Sequence, residues 1–395
     1  MSMKIAIVCP ASLPAVQFGG ILFLGVDIAK DLSNEGHDVT IYTTDLDFAN
    51  NPKTFNKNLP QLEKYENFKI NRTHTWFSLF LFYVNPGMYY QLKNDKPDII
   101  HTIGIRSFQS FIAALISKKY SIPLIISDQG GLSTHPELSQ GNMLRRTLYK
   151  FQSPLVQFII NQSKKIIVAN DYEKKIFSKF TTDSKIVIIR NGINLEELET
   201  HSIDFKKKYN IAEKIILFVG RFNKVKGIDI LLRAFSLIKD RDEIKDVKLV
   251  IMGVDFGYEL EMFKEIENLG IKNRVLVISK PPRVDVISAY RSCEFLVLPS
   301  RWELSPLTPL EGFYFKKPVI STNTHGIPYT ISDKEDAILV EPENYFQLSE
   351  AIIQLLRDDE MRTRYGNAGF KLVKDECNSK KMSEKILAVY REVVG

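Results

Sequence analysis

KIILFVGRFNKVKGIDILLRAFSLI, residues 214–238, decides the fold. It opens on an unbroken apolar, β-branched run (214–220) and turns through a basic stretch, RFNKVKGID (221–229). From Ile228 it places Leu231, Leu232, Phe235 and Ile238 on one face at helical spacing. A strand that is apolar throughout, rather than at alternate positions, is buried on both faces, as in a parallel sheet covered by helices. The same plan recurs at the N-terminus. KIAIV (4–8) leads through Gly19-Gly20 into a helix carrying Ile21, Leu22, Leu24, Ile28, Ala29 and Leu32, which Gly36 stops before HDVTIYTT (37–44).

Further apolar runs stand at PDIIHTIG (97–104), PLIIS (123–127) and KKIIVAN (164–170), and a second set at VKLVIMG (247–253), RVLVIS (274–279), FLVLPS (295–300) and KPVIST (317–322). Strands alternating with helices give right-handed βαβ units. Two sets in 395 residues predict two doubly wound α/β domains. The boundary falls within 190–210, where the strand IVIIR runs into NGIN and a charged stretch. We set the domains at 1–200 and 201–379. The terminal segment, with Ile386, Leu387, Tyr390, Val393 and Val394 on one face, can pack on either.

Composition excludes other classes. With 44% hydrophobic and 25% charged residues the chain is neither disordered nor fibrous. The 53 Lys+Arg against 47 Asp+Glu are scattered rather than massed, so the net charge of +6 is solvated surface and no nucleic acid is expected. Three distant cysteines, Cys9, Cys293 and Cys377, fit a reducing compartment. The first apolar run is too short for a signal peptide, and WFSLFLFYV (76–84) is about half the length of a membrane span. A cytoplasmic protein is expected.

Three loops can carry chemistry, each at the C-terminal end of a strand, where open α/β sheets bind ligands. Gly19 and Gly20 allow close backbone approach ahead of a helix N-terminus that favours anions, or are a plain turn pair. The absence of G-x-G-x-x-G argues against a nicotinamide dehydrogenase. Arg221 and Lys226 would hold a diphosphate and stabilise the charge developing as it leaves; the alternative is a solvated basic loop. PSRWELSPLTPLEG (299–312) carries Glu303 and Glu311 on a Pro-restrained loop running into a helix from Leu307 to Lys316. Carboxylates there suit hydroxyl-rich ligands.

Taken together and in order, the GG loop, PDIIHTIG, RNGIN, VGRFNKVKG, Glu303-x7-Glu311 and KPVIST…GIPYTI…ILVEPEN resemble the retaining glycosyltransferases of family 4 over essentially the whole chain. The resemblance implies the GT-B fold, two Rossmann-like domains facing across a cleft, with the C-terminal helix (380–395) crossing back to an N-terminal acceptor-binding domain. A nucleotide-diphosphate sugar would bind chiefly to the C-terminal domain. Arg221 and Lys226 would grip its diphosphate and Glu303 the sugar hydroxyls. The amides from Leu304 through Ser305 to Leu307 would lie near sugar and phosphates, and Glu311 would bind the ribose. The segment Ile278 to Pro281, with Ser279 and Lys280, would face the base, and Gly19 and Gly20 would close over the diphosphate. No metal or cofactor is implied, matching the lack of a DxD triplet. Arg221, Lys226 and Glu303 are the expected catalytic residues, with the leaving phosphate accepting the acceptor's proton.

Many relatives carry a histidine after the strand matching PLIIS; here stand Asp128, Gln129, Gly130 and Gly131, and Gln129 is the substitute sugar contact. Gln129 cannot act as a base. His101 reads as structural or acceptor-side, and His135 is an outside candidate. The aromatic stretch 76–90 and the basic, apolar stretch 144–165 allow two readings. One is a surface docking on a membrane that carries a lipid-linked acceptor; the preferred one is a core helix with a basic outer face. Rival activities are a sugar-nucleotide epimerase and a silent nucleotide-sugar sensor. Sugar, base, acceptor and oligomeric state are not legible.

Overall fold

The computed structural model describes residues 2–47, 55–79, 82–129, 132, 152–199 and 202–395. The chain divides into two compact units, Met1–Asn191 with Ser379–Gly395, and Gly192–Asn378. The division falls at the NGIN turn, nine residues ahead of the expected position 200. The reason is packing: Leu198 and Phe205, in the charged stretch beyond the turn, are buried in the core of the second unit.

In the first unit the strands are β1 (Lys4–Val8), β2 (Asp38–Thr44), β3 (Leu62–Tyr65), β4 (Phe68–Thr73), β5 (Phe77–Leu79), β6 (Phe82–Val84), β7 (Ile99–Ile103), β8 (Leu124–Ser127), β9 (Lys165–Val168) and β10 (Ile186–Ile188). The main sheet runs β10-β9-β8-β7-β1-β2-β4-β3, parallel except for β3, which pairs antiparallel with β4. Strands β1, β2 and β7 are buried on both faces, β1 as its apolar run requires and β2 and β7 with Thr40, Thr43, Thr44, His101 and Thr102 buried beside their aliphatic residues.

β3 and β4 escape the apolar-run criterion because β3 is a largely exposed edge strand and β4 buries Asn71 and Arg72. The Arg72 Nη1 and Nη2 donate to the carbonyls of Pro60 (3.1 Å) and Leu13 (2.8 Å), and Nη2 pairs with Glu63 at 2.7 Å. A buried cation is tolerated when so paired. The apolar stretch 76–84 gives the hairpin β5–β6 and leaves Trp76, Phe77 and Leu79 exposed. Among the described residues no helix is long and apolar enough to cross a membrane.

The second unit holds β11 (Lys214–Val219), β12 (Val247–Gly253), β13 (Val275–Ser279), β14 (Phe295–Leu298), β15 (Val319–Thr322) and β16 (Ala337–Val340). All pairings are parallel, in the order β13-β12-β11-β14-β15-β16. The helix Ile228–Leu237 buries Leu231, Leu232 and Phe235, the face read from its spacing.

The C-terminal helix, Ser379–Val394, belongs to the first unit. Met382, Ile386, Leu387 and Tyr390 share a core with Leu24, Ile28 and Leu32 of the helix Gly20–Asn34, and Ser383 bonds Asp31 at 3.0 Å. Its choice between the units is thus settled by that complementary apolar face.

Candidate functional site

In the second unit the chain builds β12 and β13 on one side of β11, then crosses to β14 on the other. The crevice at the carboxyl ends of β11 and β14 is therefore the switch point at which such sheets bind ligands. Two loops meet there, 220–227 after β11 and 299–306 after β14. They are stitched together: the Arg301 amide donates to the Val225 carbonyl at 2.8 Å, and the Arg301 guanidinium holds both oxygens of Asp229 at 2.7 and 2.8 Å. It also reaches Glu343 at 2.9 Å and the Lys224 carbonyl. The Asn223 side chain accepts the Lys226 amide at 3.2 Å and closes the turn, and Gly227 leaves it at φ +68°.

This scaffold brings Lys226 and Glu303 together. The Lys226 ammonium contacts Glu303 Oε1, and the Ser300 hydroxyl donates to the same oxygen at 3.0 Å. The side chains are only 19% and 15% exposed, so their charges are poorly screened. The Glu303 carbonyl accepts from the Gly326 amide at 3.0 Å, which seats the loop after β15 against it. On that loop His325 takes φ 50° and its ring stands 6.4 Å from Trp302; burial lowers its pKa below the ordinary value. Arg221 sits on the same loop as Lys226 but is exposed, and its guanidinium lies over the Phe256 ring at 5.1 Å.

The helix expected from Leu307 to Lys316 runs Leu307–Tyr314, with Pro306 at its N-cap and no side-chain cap. The amides of Leu307 and Thr308 have no acceptor inside the helix, Pro309 has no N–H, and the two amides give its start a partial positive charge. Of the Leu304–Leu307 stretch, Pro306 has no N–H, so only Leu304, Ser305 and Leu307 can donate.

Glu311 follows on that helix. Its carboxylate accepts the Arg283 guanidinium at 2.6 and 3.3 Å and the Tyr290 hydroxyl at 2.7 Å. Ser279 ends β13 and Lys280 follows it, both exposed. The Ser279 hydroxyl donates to Glu259, and Lys280, at φ 53°, sends its amide to the Gly253 carbonyl at 2.6 Å. Arg283 and Tyr290 belong to no sequence motif, and Ser300 and Arg301 lie within PSRWELSPLTPLEG without a role that its spacing predicts. Only their contacts mark them.

In the first unit, Gly19 is the N-cap of the helix Gly20–Asn34 at φ 89°, a conformation that favours glycine. Gln129 exchanges amide bonds with Asn191 at 3.0 and 2.8 Å. His101 is fully buried, its nitrogens 2.6 Å from the Tyr390 hydroxyl and 2.8 Å from Ser127 Oγ, and burial pushes its pKa down to about 3. That is the structural reading of His101. Glu173 is also buried; desolvation first, then Asp128, pushes its pKa up to about 8. The helix Ser153–Gln162 buries Val156, Ile159 and Ile160, the core-helix reading of its segment. Gly130, Gly131, His135 and positions 144–151 lie outside the described residues. Among the described residues no group of three or more His, Cys, Asp or Glu is placed to hold a metal ion.

A family model described as glycosyl transferases group 1 matches residues 201–372, and one described as glycosyltransferase family 4 matches residues 18–197. A Methanocaldococcus jannaschii glycosyltransferase of uncharacterized activity is 30% identical over 285 residues, spanning 70% of this chain and 71% of that one. The N-acetyl-alpha-D-glucosaminyl L-malate synthase of Bacillus anthracis is 24% identical across 100% of this chain and 98% of its own. Among solved structures, the sucrose-phosphate synthase of Thermosynechococcus elongatus superposes with a TM-score of 0.78 at 18% identity, covering 98% of each chain. Anabaena HepE, in complex with UDP and glucose, superposes at 0.77 with 16% identity, covering 98% of this chain and 99% of that one.

Proposed function

Because this chain belongs to the glycosyltransferases of group 1 and family 4, with the GT-B fold, we propose that it moves a sugar from a nucleotide-diphosphate sugar to a hydroxyl acceptor with retention of configuration. The observation that carries this reading is the Lys226–Glu303 contact at the switch point, beside the uncapped start of the helix Leu307–Tyr314. A cation, a set of free amides and a carboxylate there match a diphosphate joined to a polyhydroxylated ring. The complexes of HepE with UDP, with UDP and glucose, and with UDP-glucose support a nucleotide-sugar donor.

In this reading the diphosphate lies between Lys226 and the amides of Leu307 and Thr308, with Arg221 free to swing from Phe256 as an outer cation. Glu303 accepts hydroxyls of the sugar and Glu311 those of the ribose. The family resemblance assigns Ser279 and Lys280 to the base and Gly19, Gly20 and Gln129 to the same donor. As the C1–O bond to the phosphate breaks, negative charge gathers on the leaving oxygen beside the Lys226 ammonium. The acceptor oxygen forms its bond to C1 on the same face, and its proton passes to a phosphate oxygen. The protein's part is positioning and charge rather than a covalent nucleophile. Lys226, Arg221 and the helix start supply the positive charge, so no metal or cofactor is required. The acceptor is a hydroxyl on a glycan, a lipid-linked saccharide or a small molecule, taken by the first unit, and the enzyme works in the cytoplasm or at the inner face of a membrane.

The test is ligand-detected NMR with UDP-, GDP- and ADP-sugars in the presence of EDTA, followed by product anomer analysis. One donor should bind, and lose binding in Lys226→Ala and Glu311→Ala. Silence with every donor, or a product of inverted configuration, would overturn the reading.

A further inference from the structure

The carboxylate that this reading assigns to the ribose is held in place by side chains from elsewhere in the unit. Arg283 opens the helix Arg283–Ser292, directly after Pro281-Pro282. Its guanidinium lies between two carboxylates. Nε and Nη2 donate to Glu197 at 3.1 and 2.9 Å, while Nη2 and Nη1 donate to Glu311 at 2.6 and 3.3 Å. Tyr290, two turns along the same helix, adds its hydroxyl to Glu311 Oε2 at 2.7 Å. A carboxylate offers about four lone pairs. Arg283 and Tyr290 use three, one on Oε1 and both on Oε2, and leave one on Oε1.

The donors are durable. Burial alone would lower the Arg283 pKa, but Glu311 and Glu197 outweigh it and raise it further. Burial and then Glu311 push the Tyr290 hydroxyl well above its ordinary value, so it remains a donor. The Glu311 side chain is 15% exposed against 36% for Arg283. A partly buried Arg–Glu pair of this kind contributes little net stability, because desolvation offsets the attraction. What it does supply is a single orientation. A lone glutamate would have to be frozen from several rotamers when a ligand arrives, and that ordering weakens binding.

We infer that Arg283 is a positioning residue for nucleotide recognition: with Tyr290 it presets Glu311 so that the remaining lone pair on Oε1 accepts from the cis-diol of a nucleoside diphosphate. The inference rests on the donor reading of the site and adds that the ribose contact of Glu311 depends on Arg283 and Tyr290. Glu197, on the short helix Leu195–Glu199 just after the unit boundary, takes the other side of the guanidinium and keeps the fork flat against Glu311.

The experiment is calorimetric titration of wild type, Arg283→Met and Tyr290→Phe with UDP, GDP and ADP, each beside its 2′,3′-dideoxy form. The preferred diphosphate should bind wild type about tenfold more tightly than its dideoxy form, the worth of one charge-assisted hydrogen bond. In Arg283→Met that ratio should fall to about twofold or less while affinity for the dideoxy form holds, and Tyr290→Phe should lie between. A merely structural role would weaken both forms together and leave the ratio intact, and that result overturns the inference. So does an unchanged ratio in both variants. Absence of binding to any diphosphate would instead sink the donor reading, and is distinguishable because wild type itself would be silent.

Discussion

A Cβ placed on Gly227 would stand 1.9 Å from the carbonyl oxygen of Pro299. The two loops of the candidate site thus touch backbone to backbone at the residue after Lys226, and φ +68° at Gly227 makes that approach available to glycine alone. Gly227→Ala has to separate the loops as well as strain its own backbone, at about 1–2 kcal/mol for the left-handed conformation before the clash is counted. The expected outcome is a lower Tm for the second unit and a larger loss in donor affinity than stability alone explains. Crystals or NMR shifts showing Lys226 and Glu303 still in contact would contradict this coupling.

Lys226→Ala removes the cation at the proposed leaving group and strands a poorly exposed Glu303 carboxylate. Turnover should drop about a hundred- to a thousandfold, the cost of deleting one preorganised charge-stabilising donor. Lys226→Arg should restore only part, because the planar fork does not fit a contact made by a single ammonium. Initial rates at saturating donor decide it; a change confined to KM would assign Lys226 to binding alone.

His101 makes the first unit acid-sensitive. Its pKa is about 3 when folded and 6.5 when exposed. Above pH 6.5 both states are neutral. As pH falls from there toward 3, the unfolded chain gains a proton that the folded one refuses, and stability drops by about 1.4 kcal/mol per pH unit. His37, also lowered by burial, adds in the same direction in the first unit, and His325 does so in the second. Thermal melts should show a smaller fall in Tm between pH 7 and 5 for His101→Gln than for wild type, and parallel curves would refute the assignment.

Glu173 acts with the opposite sign. Its folded pKa of about 8 exceeds the 4.5 of the exposed group. Between those values the unfolded chain releases a proton that the folded chain retains, so stability falls as pH rises through the window. Glu173→Gln, which keeps the neutral shape, should therefore gain stability relative to wild type on going from pH 5 to pH 8, by at most about 3 kcal/mol at pH 7, read as a rising difference in Tm. A constant difference across that range would show that the carboxyl does not titrate as its burial demands.

The fold was legible where burial is continuous along the chain. β1, β11, β12 and β14 are near-continuous apolar runs because both faces of a parallel sheet are covered, β2 and β7 add buried Thr and His to theirs, and the helix Ile228–Leu237 repeats its apolar face at 3.6 residues. The site loops were legible for a related reason: Lys226 and Glu303 follow strands directly, and adjacent parallel strands end at the same edge. β4 was hidden because it buries an arginine, which no hydropathy pattern anticipates.

The sequence by itself therefore determined the two doubly wound units, the strand ends that carry the chemistry and the family to which the chain belongs. Only the tertiary structure decided which unit receives the terminal helix, that His101 is sealed between Tyr390 and Ser127, and that Arg283 and Tyr290 clamp Glu311. These relationships join residues 28 and 21 positions apart in one case and 289 in another. They depend on which side chains arrive at the same point in space, and local spacing carries no record of that.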